Sequence, residues 1–290
     1  MKIRCLTLSV VLVFLILPLP SPSFSEEAVS FSSKTLVRGG LLLITVTTDG
    51  QEQPQVEWMR KRIALVYNKL NAKWYGFIAA DLNQKRGIYK VLVRLPSSGF
   101  KKKFYIKVRD KNYGMRKLKL PKEKVELNAE SLRRVRKEAA MIHSLWTMDS
   151  PLPLWRGEFL LPVEGDIIGA FGKKSIINKM KRAPHSGVDI RASKGEPVIA
   201  INNGSVVLVA DHFFTGKSIY LDHGGGIISM YFHLDKIMVN DEESVEKGQI
   251  IGQTGESGRA TGPHLHWGVR INGARVNPLT LIELSKRWDD

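Results

Sequence analysis

Between residues 155 and 280 the chain never holds a helical period for long. Short apolar runs alternate with glycine and proline punctuation, which restricts this half to a β-rich fold. The apolar run 198–201 leads into Asn202-Asn203-Gly204 and then into 205–209, a pattern that predicts a hairpin. Residues 218–221 run into Asp222-His223-Gly224-Gly225-Gly226, and a strand resumes over 227–232. Asn272-Gly273 marks a further turn. Residues 27 to about 125 read in the same way. The run 41–47 is strand-like and precedes the turn pair Asp49-Gly50, the runs 74–78 and 88–93 flank a turn-rich stretch at 83–87, and 104–108 follows three lysines. Strands at this spacing predict a small β-sandwich.

From Asn128 to about Met148 the period changes. Leu132, Val135, Ala139, Ile142 and Leu145 or Trp146 recur at helical spacing, with charge on the other side. Asn128 suits an N-cap, and Pro151 and Pro153 end the helix. The expected class is therefore mainly β: a basic β-sandwich domain over 27–125, a linking amphipathic helix over 126–150, and a second β-domain over 153–290. The apolar stripe of the helix is expected to pack on one of the two domains.

The first 25 residues stand apart. Lys2 and Arg4 precede an apolar run from Leu6 to Leu19, broken by Pro18, and Ser23-Phe24-Ser25 offers small residues at the cleavage spacing. This is the form of a secretory signal peptide, too short and too proline-limited for a span. It predicts a protein secreted across the inner membrane, periplasmic or associated with the cell envelope. The one cysteine, Cys5, lies inside this segment, so the mature chain would have no thiolate to offer as metal ligand or nucleophile.

The formal net charge of +16 is unevenly distributed. Residues 153–290 hold 16 basic and 16 acidic side chains, whereas residues 26–152 hold 26 and 12. The excess gathers in clusters such as Arg60-Lys61-Arg62 and Lys101-Lys102-Lys103. A basic module is drawn to a polyanion or an anionic membrane surface. For a secreted chain the expected partner is an anionic envelope polymer or lipid and not nucleic acid. The alternative is a solvated basic face without a partner.

Of seven histidines, five lie between residues 212 and 266. Side chains two apart on a strand share a face, so His264 and His266 project together while Leu265 and Trp267 face a core. Two imidazoles on one face need polar partners or a metal. Upstream, His185 and Asp189 have equal strand parity, with Gly187 between them to allow a bend. Joined by one histidine of the downstream pair they make two imidazoles and a carboxylate, a catalytic zinc set with its fourth position open. His233 follows the parity of Tyr231, and a lone histidine at a strand end is ordinarily structural. No HExxH motif supplies a glutamate base, which leaves histidine as the candidate base.

His185-Ser186-Gly187-Val188-Asp189, Tyr231-Phe232-His233-Leu234 and Gly262-Pro263-His264-Leu265-His266-Trp267-Gly268-Val269, in that order, resemble the lysostaphin/LytM-type zinc metallopeptidases over about residues 155–280. The region before them resembles, more loosely, the Ig-like β-domain that precedes the catalytic domain in some members. The resemblance implies a mostly antiparallel β-domain with a narrow groove over one zinc ion per chain. His185, Asp189 and His266 would bind the metal, and His264 and His233 would be the catalytic histidines. It implies a secreted zinc metalloendopeptidase, a hydrolase acting on peptide bonds in peptidoglycan stem peptides or cross-bridges with zinc-bound water as nucleophile. Trp267-Gly268 departs from the Phe-Glu of many members. An alternative role is a non-enzymatic envelope factor that activates a partner cell-wall hydrolase. Members that do this typically lack some of the five residues, all of which are present here.

Overall fold

A computed structural model describes residues 28–48, 52–119, 127–148, 150–181 and 183–288. The expected signal peptide and the Asp49-Gly50 turn lie outside these residues. Among the described residues no helix is long and apolar enough to cross a membrane. The fold is mainly β, with two sheets in the N-terminal half and a large antiparallel sheet in the C-terminal half.

The strand Leu41–Thr47 explains how the halves meet. Its apolar run is nearly unbroken, the mark of a strand buried on both faces. Leu42, Ile44 and Val46 face a sandwich core with Val56, Trp58, Val91, Val93 and Ile106. Leu41 and Leu43 face the other way, into a second core with Tyr75, Phe77, Trp155, Phe159 and Leu281. The four-stranded sheet (Val29–Phe31, Leu41–Thr47, Lys73–Ala79, Val66–Asn68) is therefore a middle layer. A five-stranded sheet (Thr35–Val37, Phe100–Arg109, Gly87–Leu95, Gln55–Trp58, Lys61–Ile63) covers one side of it. The C-terminal half covers the other. Trp155 is 1% exposed and lies 5.4 Å from Phe77 and 5.6 Å from Phe159, ring centre to ring centre.

In the C-terminal half, Ile167–Gly169, Gly187–Arg191, His264–Ile271, Ile227–Ile237, Gly216–Asp222, Gly204–His212 and Ser244–Val245 follow one another across the sheet, each pair antiparallel. The hairpin expected around Asn202-Asn203-Gly204 does not form. Pro197–Ile199 pairs with Ile250–Thr254 instead of with Gly204–His212. The cause is Asn202, fully buried, whose amide donates to the Arg156 and Glu158 carbonyls while its Oδ1 accepts from Arg156 N–H. The side chain ties down the incoming segment, and the chain passes on without doubling back.

The linking helix spans Ala129–Leu145, and Asn128 caps it by accepting the Ser131 N–H at 2.8 Å. The stripe expected to pack is covered only in its last turn. Leu145 is buried beside Tyr220, Ile228, Met230 and Phe232, with Ile142 and Trp146 partly buried there, while Leu132 remains 38% exposed. Upstream, the helix is held by polar contacts. Arg134 donates to the Asp211 carbonyl at 2.8 Å, and the Glu138 carboxylate accepts the Phe213 N–H at 3.0 Å. Met115–Leu118 adds a parallel strand to Lys174–Ile177, which also pairs with Met180–Lys181.

Asp81, from the turn after the middle sheet, joins the halves through Arg275. Its carboxylate accepts from the Arg275 side chain at 2.6 and 2.9 Å and from the Arg275 N–H at 2.9 Å. Burial alone would raise the Asp81 pKa, but the Arg275 hydrogen bonds hold it at about 2, below the ordinary 3.8. A depressed folded-state value stabilises the fold above the unfolded pKa and loses that contribution as pH falls through the folded one. Asp81→Asn is therefore expected to be less stable than the parent at pH 7 by about 1–2 kcal/mol, allowing for partial exposure. The gap should close between about pH 4 and pH 2, as read from urea unfolding midpoints across that range.

Candidate metal centre

The site grows from one antiparallel pairing. Gly187–Arg191 lies beside His264–Ile271 with Asp189 opposite His266 and Arg191 opposite His264. Alternation sends Leu265 and Trp267 into the core, both fully buried, and turns His264 and His266 to the other face. On the far side of His264–Ile271, the strand Ile227–Ile237 places Phe232 opposite His266, where the two rings stack 5.3 Å apart and 3° from parallel. His185 lies just before Gly187–Arg191. Its N–H donates to the Lys173 carbonyl, and its Nδ1 lies 3.0 Å from the Ala170 carbonyl.

These constraints bring three donor atoms together. His185 Nε2 is 3.0 Å from Asp189 Oδ1 and 3.0 Å from His266 Nδ1, and His266 Nδ1 is 2.8 Å from the same carboxylate oxygen. With the ring proton of His185 given to Ala170, its Nε2 presents a lone pair to the other two atoms. The donor set, two imidazole nitrogens and one carboxylate oxygen on a part-exposed face, fits a divalent cation such as zinc. Two glycines make room for it. A Cβ at Gly169 would overlap Asp189 Oδ2, and one at Gly187 would lie 2.7 Å from His266 Nε2. Burial would raise the Asp189 pKa, but the close approach of the His185 and His266 rings holds it far below the usual carboxylate range. Burial lowers the His266 pKa, opposed by the hydrogen bond with Asp189.

Two more imidazoles border the trio. His264 Nδ1 lies 2.8 Å from the Gly262 carbonyl, and His233 Nδ1 lies 2.8 Å from the Ser257 carbonyl. Each ring thereby has Nδ1–H as donor and Nε2 as the open nitrogen. The two ring centres are 4.8 Å apart, and His264 Nε2 is 4.0 Å from Asp189 Oδ1. Burial lowers the His233 pKa to about 4, so the ring is neutral at pH 7.

His233 does not reach this position by the strand parity expected of it. Tyr231 points into the core, fully buried, and hydrogen-bonds Ser229 and the Ile201 N–H, whereas His233 faces His264 and His266. The backbone at His233 is left-handed, φ 64°, in a stretch where the pairing with Gly216–Asp222 shifts register. The Thr215 carbonyl accepts the His233 N–H at 2.9 Å and holds this strained conformation. His223 and His212 stay outside the cluster. His223 is fully buried between the Asn203 carbonyl and Ser229 Oγ, and His212 lies beneath Tyr220.

Sequence reasoning missed the supporting groups. The carbonyls of Ala170, Gly262 and Ser257 carry no side-chain signal. Neither does the link from Glu138 through the 213–215 turn to His233, which spans 95 positions of the sequence.

A family model described as peptidase family M23 matches residues 183–278, which include all five clustered residues. A crystal structure described as a peptidase M23 from Pseudomonas aeruginosa is 31% identical, with a TM-score of 0.66 over 86% of this chain and 95% of that one. The chain belongs to peptidase family M23. Among curated proteins it is similar to the peptidoglycan DD-endopeptidase ShyA of Vibrio cholerae, 39% identical over 97 residues, 33% of this chain and 23% of that protein. It is also similar to the DD-carboxypeptidase/endopeptidase Mpg of Neisseria meningitidis, 37% identical over 97 residues, 33% of this chain and 22% of that protein. The matches thus span under a quarter of the length of these relatives.

If the trio holds zinc, His185→Ala and His266→Ala should each lower the zinc bound to the purified chain to near zero, measured by elemental analysis. Glu138→Ala releases the Phe213 N–H from its acceptor. Faster amide hydrogen exchange is expected across 213–215 and at His233, with exchange in the sandwich strands unchanged.

Proposed function

We propose that the chain is a secreted zinc metalloendopeptidase that hydrolyses peptide bonds in the stem peptides or cross-bridges of peptidoglycan. The observation that carries this reading is the meeting of His185 Nε2, Asp189 Oδ1 and His266 Nδ1 within 3.0 Å of one another, beside two further imidazoles with open Nε2 atoms. His185, Asp189 and His266 are the ligands in this reading, holding one zinc per chain. Zinc, when bound, is a Lewis acid that acidifies water and polarises a carbonyl.

The chain's own residues do the rest. His264 and His233 are the catalytic histidines, each locked through Nδ1 so that Nε2 faces the site. As water oxygen adds to the scissile carbonyl carbon, one Nε2 accepts the water proton. The imidazolium so formed returns a proton to the leaving nitrogen when the C–N bond breaks. The role left for the other imidazole is to stabilise the oxyanion. Phe232, stacked flat on His266, fixes the orientation of that ligand.

The names of the relatives support a wall peptide as substrate, and an envelope or periplasmic location accords with that substrate. In this reading a basic sandwich over 27–125 and a link over 126–150 are packed against a catalytic part over 153–290, with one core shared between the halves. All five positions being filled favours an enzyme over a non-enzymatic activator of another hydrolase.

Two measurements test the reading. Purified sacculi should release soluble muropeptides with the chain present, and a chelator should abolish the release. His264→Ala should keep its zinc and lose about 10²–10⁴-fold in turnover, the usual range for a general acid–base group. A His264→Ala chain with full turnover would remove the role given to that residue.

A further inference from the structure

The basic clusters of the N-terminal half are not used by the metal centre. Strand pairing gathers part of them on one surface. Across Gly87–Leu95 and Phe100–Arg109 the register sets Ile88 opposite Lys107, Lys90 opposite Tyr105 and Arg94 opposite Lys101. Val91, Val93, Ile106 and Val108 occupy the core face, so these partners and Lys103 take the outer one. Glu57 pairs with Arg62 across the adjoining strands and lies on the same outer face, because Val56 and Ile63 point inward. Arg62, Lys90, Lys101, Lys103, Lys107 and Arg109 are all exposed there. The five strands of this sheet contain nine lysines and arginines and a single carboxylate, Glu57, which sits 3.7 Å from Arg94.

Two large apolar side chains stand among the cations. Ile88 is 70% exposed and Tyr105 is 62% exposed. Tyr105 lies between Lys103 and Lys107 along its strand, with neighbours on one face about 7 Å apart. Charges alone would suffice for a soluble polyanion, and an exposed isoleucine adds nothing to that. At a bilayer surface the same set is complementary. Lysine and arginine meet lipid phosphates while tyrosine and isoleucine enter the headgroup boundary. A broad sheet face also suits a plane better than a single polymer strand.

We infer that the outer face of the five-stranded sheet is a docking surface for a bilayer rich in anionic phospholipid. This goes beyond the peptidase reading and does not depend on the metal centre. It gives the chain a place to stand, with Tyr105 and Ile88 at the centre of the footprint.

The test uses the chain beginning at residue 26, so that the apolar run 6–19 cannot contribute. Co-sedimentation with phosphatidylglycerol–phosphatidylcholine vesicles should retain the chain, with retention falling as salt rises, while pure phosphatidylcholine vesicles should not retain it. Lys103→Glu/Lys107→Glu should weaken binding by at least about tenfold. Tyr105→Ser should weaken it at any given salt. Arg133→Glu/Arg136→Glu on the linking helix makes the same charge change elsewhere and should bind as the parent does. Circular dichroism confirms that each variant is folded. Equal binding of the Lys103/Lys107 variant and the parent would overturn the inference, as would equal loss in the helix variant. Retention on sacculi or heparin without retention on anionic vesicles would also overturn it, in favour of a soluble or wall polyanion. Digestion of sacculi is a separate readout, so loss of vesicle binding with intact digestion leaves the peptidase reading standing.

Discussion

The pairing of Gly187–Arg191 with His264–Ile271 is the constraint on which the site depends. It sets Asp189 opposite His266, so a carboxylate and an imidazole meet at a spacing that no local turn could give. A slip of one residue would exchange the faces. Leu265 and Trp267 would be turned out of the core, and His264 and His266 would be driven into it. Both alternatives are costly, so the core that holds Trp267 also fixes the register of the clustered donor atoms. The neighbouring strand adds Phe232 over His266. The fold thus orients the donors by burying what lies behind them.

Much of this was legible in the sequence because period-two alternation survives in it. The HxH pair, Asp189 and the cores of several strands follow from side-chain parity, whereas His185 lies before the strand and is placed by the Lys173 and Ala170 carbonyls; the cap at Asn128 follows from its chemistry. The failures have physical causes. His233 breaks parity because its backbone is left-handed, a conformation that nothing in its own identity announces. The expected hairpin at 202–204 fails because Asn202 spends its side chain on a distant segment. The helix stripe is only partly covered because polar contacts from Arg134 and Glu138, pairings invisible to periodicity, dock its middle turns. The carbonyls that lock the histidine tautomers lie beyond any motif, since every residue has one.

The site is also connected outward in two directions. On the His185 side, Lys173 accepts the His185 N–H and leads into Lys174–Ile177, which the strand Met115–Leu118 extends. On the His233 side, the Thr215 carbonyl sits in a turn gripped by Glu138 of the linking helix. Segments outside the M23-matched residues 183–278 therefore brace both flanks of the cluster. The family-matched stretch supplies the donors, and the preceding chain supplies hydrogen bonds on either side of them.

The middle sheet, with apolar side chains on both of its faces, has a practical corollary. It serves as the lid of two cores at once, so neither half has a finished surface of its own. Cutting the chain at the link would uncover Trp155, Phe159, Leu281 and Leu284 on one fragment, and Leu41, Leu43 and Phe77 on the other. Sticky fragments, and not two independent modules, are what such a cut would yield. Anyone transplanting the C-terminal half to a new protein would have to carry the sheet along or recolour the exposed face with polar residues.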